Sequence, residues 1–370
     1  MGTNNKKPII VISAVNFSIG GPLSILRDCL IALNTYFLEQ YEVVAIVHKK
    51  NTFEVEFPNI ILLEFPKIKS SWFRRLRFEY FTCYQLSKKI KPFLWLSLHD
   101  ITPNVIASRR AVYCHNPSPF YKTSIFEAKI ELPFFLFSKF YRWLYKINIK
   151  KNNYVIVQQQ WTREYFKKNY GVQNVIVAQP GEKVFKNFKK TEKGSNVKFK
   201  FFFPALPRVF KNFEIVYEAV KLLNNTRNDF EMILTILEKD NKYTNFLFNK
   251  YGTISNLNLI GVQDQEKVMA MYANVDCLIF PSKLETWGLP ITEAKGFDLP
   301  ILVADLPYAH ETIGNYNNVT FFKTDDAIAL CILMDKIIDG KLIFDGSKKL
   351  MPEPLFTDNW ASLLNILLTD

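Results

Sequence analysis

Short apolar runs of four to seven residues recur along the chain and alternate with stretches of helical periodicity. Pro8-Ile-Ile-Val-Ile-Ser13, Val43-Val-Ala-Ile-Val47, Tyr154-Val-Ile-Val157, Lys198-Phe-Lys-Phe-Phe-Phe203, Glu231-Met-Ile-Leu-Thr-Ile-Leu237, Val275-Asp-Cys-Leu-Ile-Phe280 and Ile301-Leu-Val-Ala304 read as buried strands. Between them, Leu23, Leu26, Leu30 and Leu33 fall on one helical face, as do Ile215, Val216, Ala219, Val220, Leu222 and Leu223. Strand–helix alternation of this kind predicts an α/β protein with parallel sheets covered by helices on both faces. The run of apolar strands is interrupted once, by the polar, lysine-rich span Glu182–Val197. It divides the chain into an N-terminal domain at 1–181, a linker at 182–197 and a C-terminal domain at 198–350, with a last helix within 351–370 around Trp360–Leu368. At 370 residues, each half is long enough to bury its own core.

The chemistry concentrates in Phe280-Pro-Ser-Lys-Leu-Glu285-Thr-Trp-Gly288-Leu289-Pro290-Ile-Thr-Glu293-Ala294. A strand ends at Phe280, and Pro290 suits the first turn of a helix, where its missing N–H costs nothing. Gly288 allows close backbone approach to a ligand, and free amides at a helix start favour a phosphate. Glu285 then lies in the loop and Glu293 about one turn into the helix. Carboxylates accept hydrogen bonds from sugar hydroxyls, so two of them flanking a diphosphate site fit the layout of a nucleotide sugar.

These residues resemble the E-x7-E motif of the retaining glycosyltransferases of family 4, in its E-x-W/F-G-L-P-x-x-E-A form. The resemblance implies the GT-B fold, two Rossmann-like domains facing each other across a cleft, with the donor on the C-terminal domain, the acceptor mainly on the N-terminal one, and a last helix within 351–370 that can pack back across the cleft as in similar folds. It assigns the transferred sugar to Glu285 and the nucleotide ribose to Glu293, with Gly288 and Leu289 at the donor. Ala205-Leu-Pro-Arg208-Val-Phe-Lys211-Asn212 resembles the family's Arg/Lys-Asn segment, which neutralises the donor diphosphate. Lys211 matches that pattern and Arg208 matches it with a variable spacing. Asn16-Phe-Ser-Ile-Gly20-Gly21-Pro22 resembles the family's first glycine loop near the donor phosphates, and without a G-x-G-x-x-G it does not predict a nicotinamide or flavin site. His115, which ends the strand of Ala111-Val-Tyr-Cys-His115, resembles the histidine that many members carry near the sugar, with His99 as its competitor.

Composition narrows the remaining choices. Hydrophobic residues make up 48% of the chain, aromatics 15%, and no apolar run approaches the roughly 20 residues of a bilayer span. Five scattered cysteines without ligand spacing predict reduced core residues in a cytosolic chain, and no secretory signal is expected at the N-terminus. Neither a metal nor a cofactor is expected, because a D-x-D and clustered ligands are absent. The net charge is +12, and nearly all of it lies in two windows. Residues 64–95 carry eight Lys/Arg against two Glu, and 120–152 seven against two, interleaved with aromatics. Trp72, Arg74, Arg75, Arg142 and Trp143 are therefore expected on a membrane- or acceptor-facing side, at the inner face of the cell membrane. No nucleic-acid-binding pattern is present.

The resulting expectation is a retaining hexosyl transfer from a nucleotide sugar to a glycan or lipid-linked acceptor in cell-surface polysaccharide synthesis. A sugar-nucleotide epimerase or a phosphorylase of related fold, and a non-catalytic membrane-associated assembly protein, are the alternatives.

Overall fold

A computed structural model describes residues 6–18, 20–181 and 198–369. The linker expected at 182–197 lies outside them. The chain divides into two compact units: one comprises the described residues of Met1–Pro119, Phe140–Gly181 and Pro352–Asp370, the other those of Phe120–Lys139 and Glu182–Met351.

The first unit is built on β1 (Ile9–Ser13), β2 (Glu42–Val47), β3 (Ile61–Glu64), β4 (Leu94–Ser97), β5 (Arg109–Tyr113), β6 (Tyr154–Val157) and β7 (Val175–Ala178). The second holds β8 (Phe199–Phe203), β9 (Phe230–Leu234), β10 (Leu257–Leu259), β11 (Cys277–Phe280), β12 (Ile301–Ala304) and β13 (Val319–Phe322). The short β14 (Phe356–Thr357) then returns to the first sheet beside β7. The sheet orders are β14-β7-β6-β5-β4-β1-β2-β3 and β10-β9-β8-β11-β12-β13, and every pairing in both is parallel.

Parallel sheets covered on both faces explain why the strands read as unbroken apolar runs. In β11 and β12 every residue is buried. The helix Phe213–Leu223 buries Phe213, Ile215, Val216, Tyr217, Ala219, Val220 and Leu223 and leaves Leu222 exposed, so the predicted stripe holds except at that position.

Two segments pack with the unit that does not adjoin them in the sequence. Residues 120–139, expected with the N-terminal domain, pack with the second unit: Phe134 and Tyr121 lie against Phe210 at 5.1 and 6.4 Å, and Phe126 against Phe246 at 5.0 Å. The C-terminal helix Trp360–Leu368 packs with the first unit, where Leu363, Leu364 and Leu367 share a core with Leu26, Leu30 and Leu33 of the helix Gly20–Tyr36. Trp360 stacks on Tyr113 at 5.8 Å, and Arg109 donates to the carbonyl of Leu367. All five cysteines are unpaired, and four of them are buried. No described helix is long and apolar enough to cross a membrane.

Candidate functional site

In the second unit, β8 and β11 are parallel neighbours, with Cys277 opposite Phe201, so the loops that follow them leave the same edge of the sheet. Carboxyl ends of parallel strands are where such sheets present functional groups. After β8 the chain is pinned by Thr235, whose hydroxyl accepts from the Ala205 N–H at 2.9 Å and donates to the Ala205 carbonyl at 3.0 Å. It then turns through a single 3-10 turn, Val209–Lys211. Asn212 takes the left-handed conformation, φ 60°, that lets the helix Phe213–Leu223 begin immediately. Its buried amide donates to the carbonyls of Thr324 at 2.9 Å and Pro281 at 3.3 Å. The pairing of Lys211 with Asn212 thus has a local cause: the lysine is presented and the asparagine turns the chain.

The loop after β11 is tied to the same turn, since the Lys283 N–H donates to the Phe210 carbonyl at 2.7 Å. Two residues further on, Glu285 forms an ion pair with Lys211, each side chain retaining 15% exposure. The Lys211 ammonium also lies 5.6 and 5.5 Å from the ring centroids of Phe210 and Phe280. A largely buried cation of this kind is screened less than a surface one, and Glu285 balances its charge.

Gly288 follows at φ +79°, where a Cβ would come within 3.2 Å of Ile291 Cδ1 and 3.4 Å of Phe280 Cε1. It caps the helix Leu289–Gly296, which carries Pro290 in its first turn and leaves Leu289 exposed. The motif loop is clipped from several sides. Trp287 donates its indole N–H to Thr292 at 2.9 Å, Thr312 donates to the Trp287 carbonyl, and Tyr308 donates to the Ser282 carbonyl at 2.6 Å. On the helix, Glu293 accepts from the Tyr272 hydroxyl at 3.0 Å. Burial, reinforced by the Glu293 charge, pushes the Tyr272 phenol well above its usual range, so it remains a donor. Tyr272 lies in the helix Gln265–Tyr272, far from the motif in sequence, and sequence reasoning missed it.

Arg208 does not join the Lys211–Glu285 pair. It forms an ion pair with Glu131, whose other oxygen accepts from the Val209 N–H at 3.2 Å. Glu131 is a second residue that no sequence pattern singles out.

In the first unit, His115 is partly exposed, with Nδ1 3.7 Å from Asp100 Oδ1. The same carboxylate oxygen accepts from the His115 and Asn116 N–H groups at 2.8 and 2.9 Å and from the Tyr145 hydroxyl at 2.9 Å. His99 is buried, its Nε2 3.1 Å from the Ser13 hydroxyl. Burial first, and the Arg75 charge second, hold it well below the usual histidine range, so it stays neutral. Gly20, at φ +66°, is exposed and Gly21 half-buried at the start of the helix Gly20–Tyr36.

Of the residues expected on a membrane-facing side, Arg75 is a correction. It is 3% exposed and its Nε lies 2.7 Å from the fully buried Glu79 carboxylate, which burial raises to about 7 against the lowering effect of Arg75. A buried guanidinium needs such a partner, and the i,i+4 spacing supplies it. Arg142 is likewise turned inward, donating twice to the Pro119 carbonyl at 3.0 and 2.8 Å. Trp72, Arg74 and Trp143 are exposed. Among the described residues no group of three or more His, Cys, Asp or Glu is gathered as metal ligands.

The family model of glycosyl transferases group 1 matches residues 167–349. No curated protein sequence matches the chain. Among solved structures, sucrose-phosphate synthase from Thermosynechococcus elongatus is similar with a TM-score of 0.64 at 12% identity, covering 90% of both chains. The lipopolysaccharide outer core galactosyltransferase WaaB gives 0.61 at 13%, over 91% of this chain and 92% of that one. HepE from Anabaena, solved with UDP, gives 0.58 at 15%, over 90% of each. At these identities the structural likeness establishes the GT-B fold.

Proposed function

From the match of residues 167–349 to glycosyl transferases group 1, on a GT-B fold, we propose that this chain moves a sugar from a nucleotide-sugar donor, with retention of configuration, to a glycan or lipid-linked acceptor in cell-surface polysaccharide synthesis. The observation that carries the reading is the Lys211–Glu285 pair beside the Gly288-capped helix that bears Glu293.

In the proposed reaction the bond between the anomeric carbon and the diphosphate breaks, and negative charge accumulates on the departing phosphate. Lys211 and the amides at the start of the helix Leu289–Gly296 stabilise that charge, an interaction that strengthens toward the transition state. Glu285, released from Lys211 by the incoming phosphate, accepts hydroxyls of the sugar. Glu293, oriented by Tyr272, accepts the ribose hydroxyls. The acceptor hydroxyl attacks the same face of the sugar and gives its proton to the leaving phosphate. No metal or cofactor is assigned a part. That HepE was solved with UDP supports a nucleoside diphosphate as the leaving group. The partly exposed His115 is the proposed histidine at the sugar; His99 is assigned a structural part in the core.

The acceptor side is proposed to rest on an anionic membrane surface. Within the first unit, Trp72 meets Phe140 and Tyr141 edge-on at 5.3 and 5.7 Å, which joins the window 64–95 to residues 140–152 of the second window in one surface. That surface exposes Phe73 at 75% and Trp143 at 60%. Rings among headgroups with Arg74, Arg77 and Lys146 around them suit a peripheral association at the inner membrane face.

A thermal-shift screen against nucleotide sugars tests the donor assignment, since a ligand at a hundred times its Kd stabilises by about 2.7 kcal/mol. Product analysis with the donor so found then separates the reactions. Transfer needs an acceptor, an epimerase alters the donor without one, and a phosphorylase needs inorganic phosphate. No shift with any nucleotide sugar would count against the proposal.

A further inference from the structure

The segment Phe120–Lys139 interrupts the first unit in sequence and packs with the second. It grips the turn that carries Lys211 in two ways. Glu131 accepts the Val209 N–H and pairs with Arg208, and the rings of Phe134 and Tyr121 lie against Phe210. A third contact reaches the other loop, where Glu127 Oε1 lies 3.9 Å from Lys283 Nζ. Glu127 is itself fixed by the Tyr121 hydroxyl at 2.5 Å and by a capping box with Ser124. Both loops of the candidate site, at 208–211 and 283–285, are therefore held by one stretch of chain.

We infer that Glu131 is a positioning residue for Lys211, and that the segment 120–139 is the clamp that aims this lysine at the departing phosphate; the inference rests on the donor assignment above. Residues 209–211 form one tight turn, in which the Lys211 N–H donates to the Arg208 carbonyl at 2.9 Å. A rotation of the Val209 peptide therefore carries the Lys211 backbone with it. Lysine adds four rotatable side-chain bonds, so its ammonium is directed only if its backbone is fixed. Glu131 fixes it at the first residue of the turn and the Phe210 ring contacts fix it at the second. The same carboxylate occupies Arg208, which leaves Lys211 as the cation of this turn that meets Glu285.

A double-mutant cycle on the full chain, using the donor found by the screen, reads this directly. Glu131→Ala should lower kcat about tenfold with little change in the donor KM, because the lost contact matters as charge develops on the phosphate. Glu131→Gln keeps an oxygen for the Val209 N–H and should recover most of that loss. In a Lys211→Ala background neither change should lower kcat further, since residues acting through one group are not additive. Circular dichroism and melting curves identify folded variants, and Glu131→Leu, which removes the acceptor at similar volume, completes the cycle in place of the Ala form if that form does not fold. Wild-type kcat in folded Glu131→Ala, or losses that multiply with that of Lys211→Ala, would overturn the positioning role alone. A rise in kcat or tighter nucleoside diphosphate binding in Glu131→Ala would also overturn it, by showing that Glu131 competes with the ligand. Absence of any donor turnover by the unaltered chain would overturn the functional reading and this inference together.

Discussion

At the residue scale, two carboxylates eight positions apart are held by different means. Glu285 is neutralised by the flexible ammonium of Lys211, whereas Glu293 is anchored by a hydroxyl from a buried ring. A cation that can pair with phosphate instead is easily exchanged; a phenol fixed in the core is not. This difference supports separate ligands for the two. Glu293→Gln should weaken binding of both the sugar donor and the free nucleoside diphosphate by about 1.5–3 kcal/mol, the usual value of a hydrogen bond to a charged group. Glu285→Gln should spare the free nucleotide and lower donor turnover. Calorimetry with both ligands on both variants decides the assignment, and the opposite pattern would exchange the two roles. The glutamates were legible from their spacing and the Trp-Gly-Leu-Pro between them. Tyr272 and Glu131 were not, because a tyrosine ending a helix and a glutamate in a mixed helical stretch carry no local signal of the partner they reach through space.

At the element scale, the strand–turn–helix from β11 through Gly288 into Leu289–Gly296 depends on a backbone shape that only glycine adopts without strain. The left-handed conformation costs another residue about 1–2 kcal/mol, before the contacts its Cβ would make with Ile291 and Phe280. Gly288→Ala should therefore lower the melting temperature by about 2–4 °C per kcal/mol lost and reduce donor binding as the loop shifts. An unaltered melting temperature together with unaltered donor affinity would show that the loop tolerates a side chain there. By contrast, a Cβ at Gly20 would meet nothing within 4 Å, so only its φ restricts that position. The sequence indicated both turns through their glycines. It did not distinguish the crowded one from the open one, which depends on side chains that arrive from other elements.

At the scale of the whole molecule, the window 64–95 and residues 140–152 of the second window belong to the first unit, residues 120–139 belong to the second, and not all of these charges reach a surface. Arg75 is paired with Glu79 inside the first unit, so its replacement tests the core: removing one partner of such a pair costs about 3–5 kcal/mol. The informative substitutions are at the exposed Arg74 and Arg77. The chain should sediment with anionic vesicles and not with neutral ones, less so at high salt. Arg74→Glu combined with Arg77→Glu should weaken this by at least about 1 kcal/mol per residue. Equal sedimentation with both vesicle types, unaffected by salt or by these changes, would remove the electrostatic part of the proposal.

The sequence by itself determined the class of fold, two parallel sheets of apolar strands with amphipathic helices between them, because burial on both faces writes an unbroken apolar run into each strand. It also pointed to the E-x7-E loop and the Lys211-Asn212 turn, through the local signals of Gly288 and Pro290 and the family resemblance those residues carry. Tertiary structure alone decided which charge is buried and which is exposed, that residues 120–139 pack with the second unit, and which cation meets which carboxylate. Those are mostly pairings between segments distant in sequence, and a side chain's own neighbours along the chain carry no record of them.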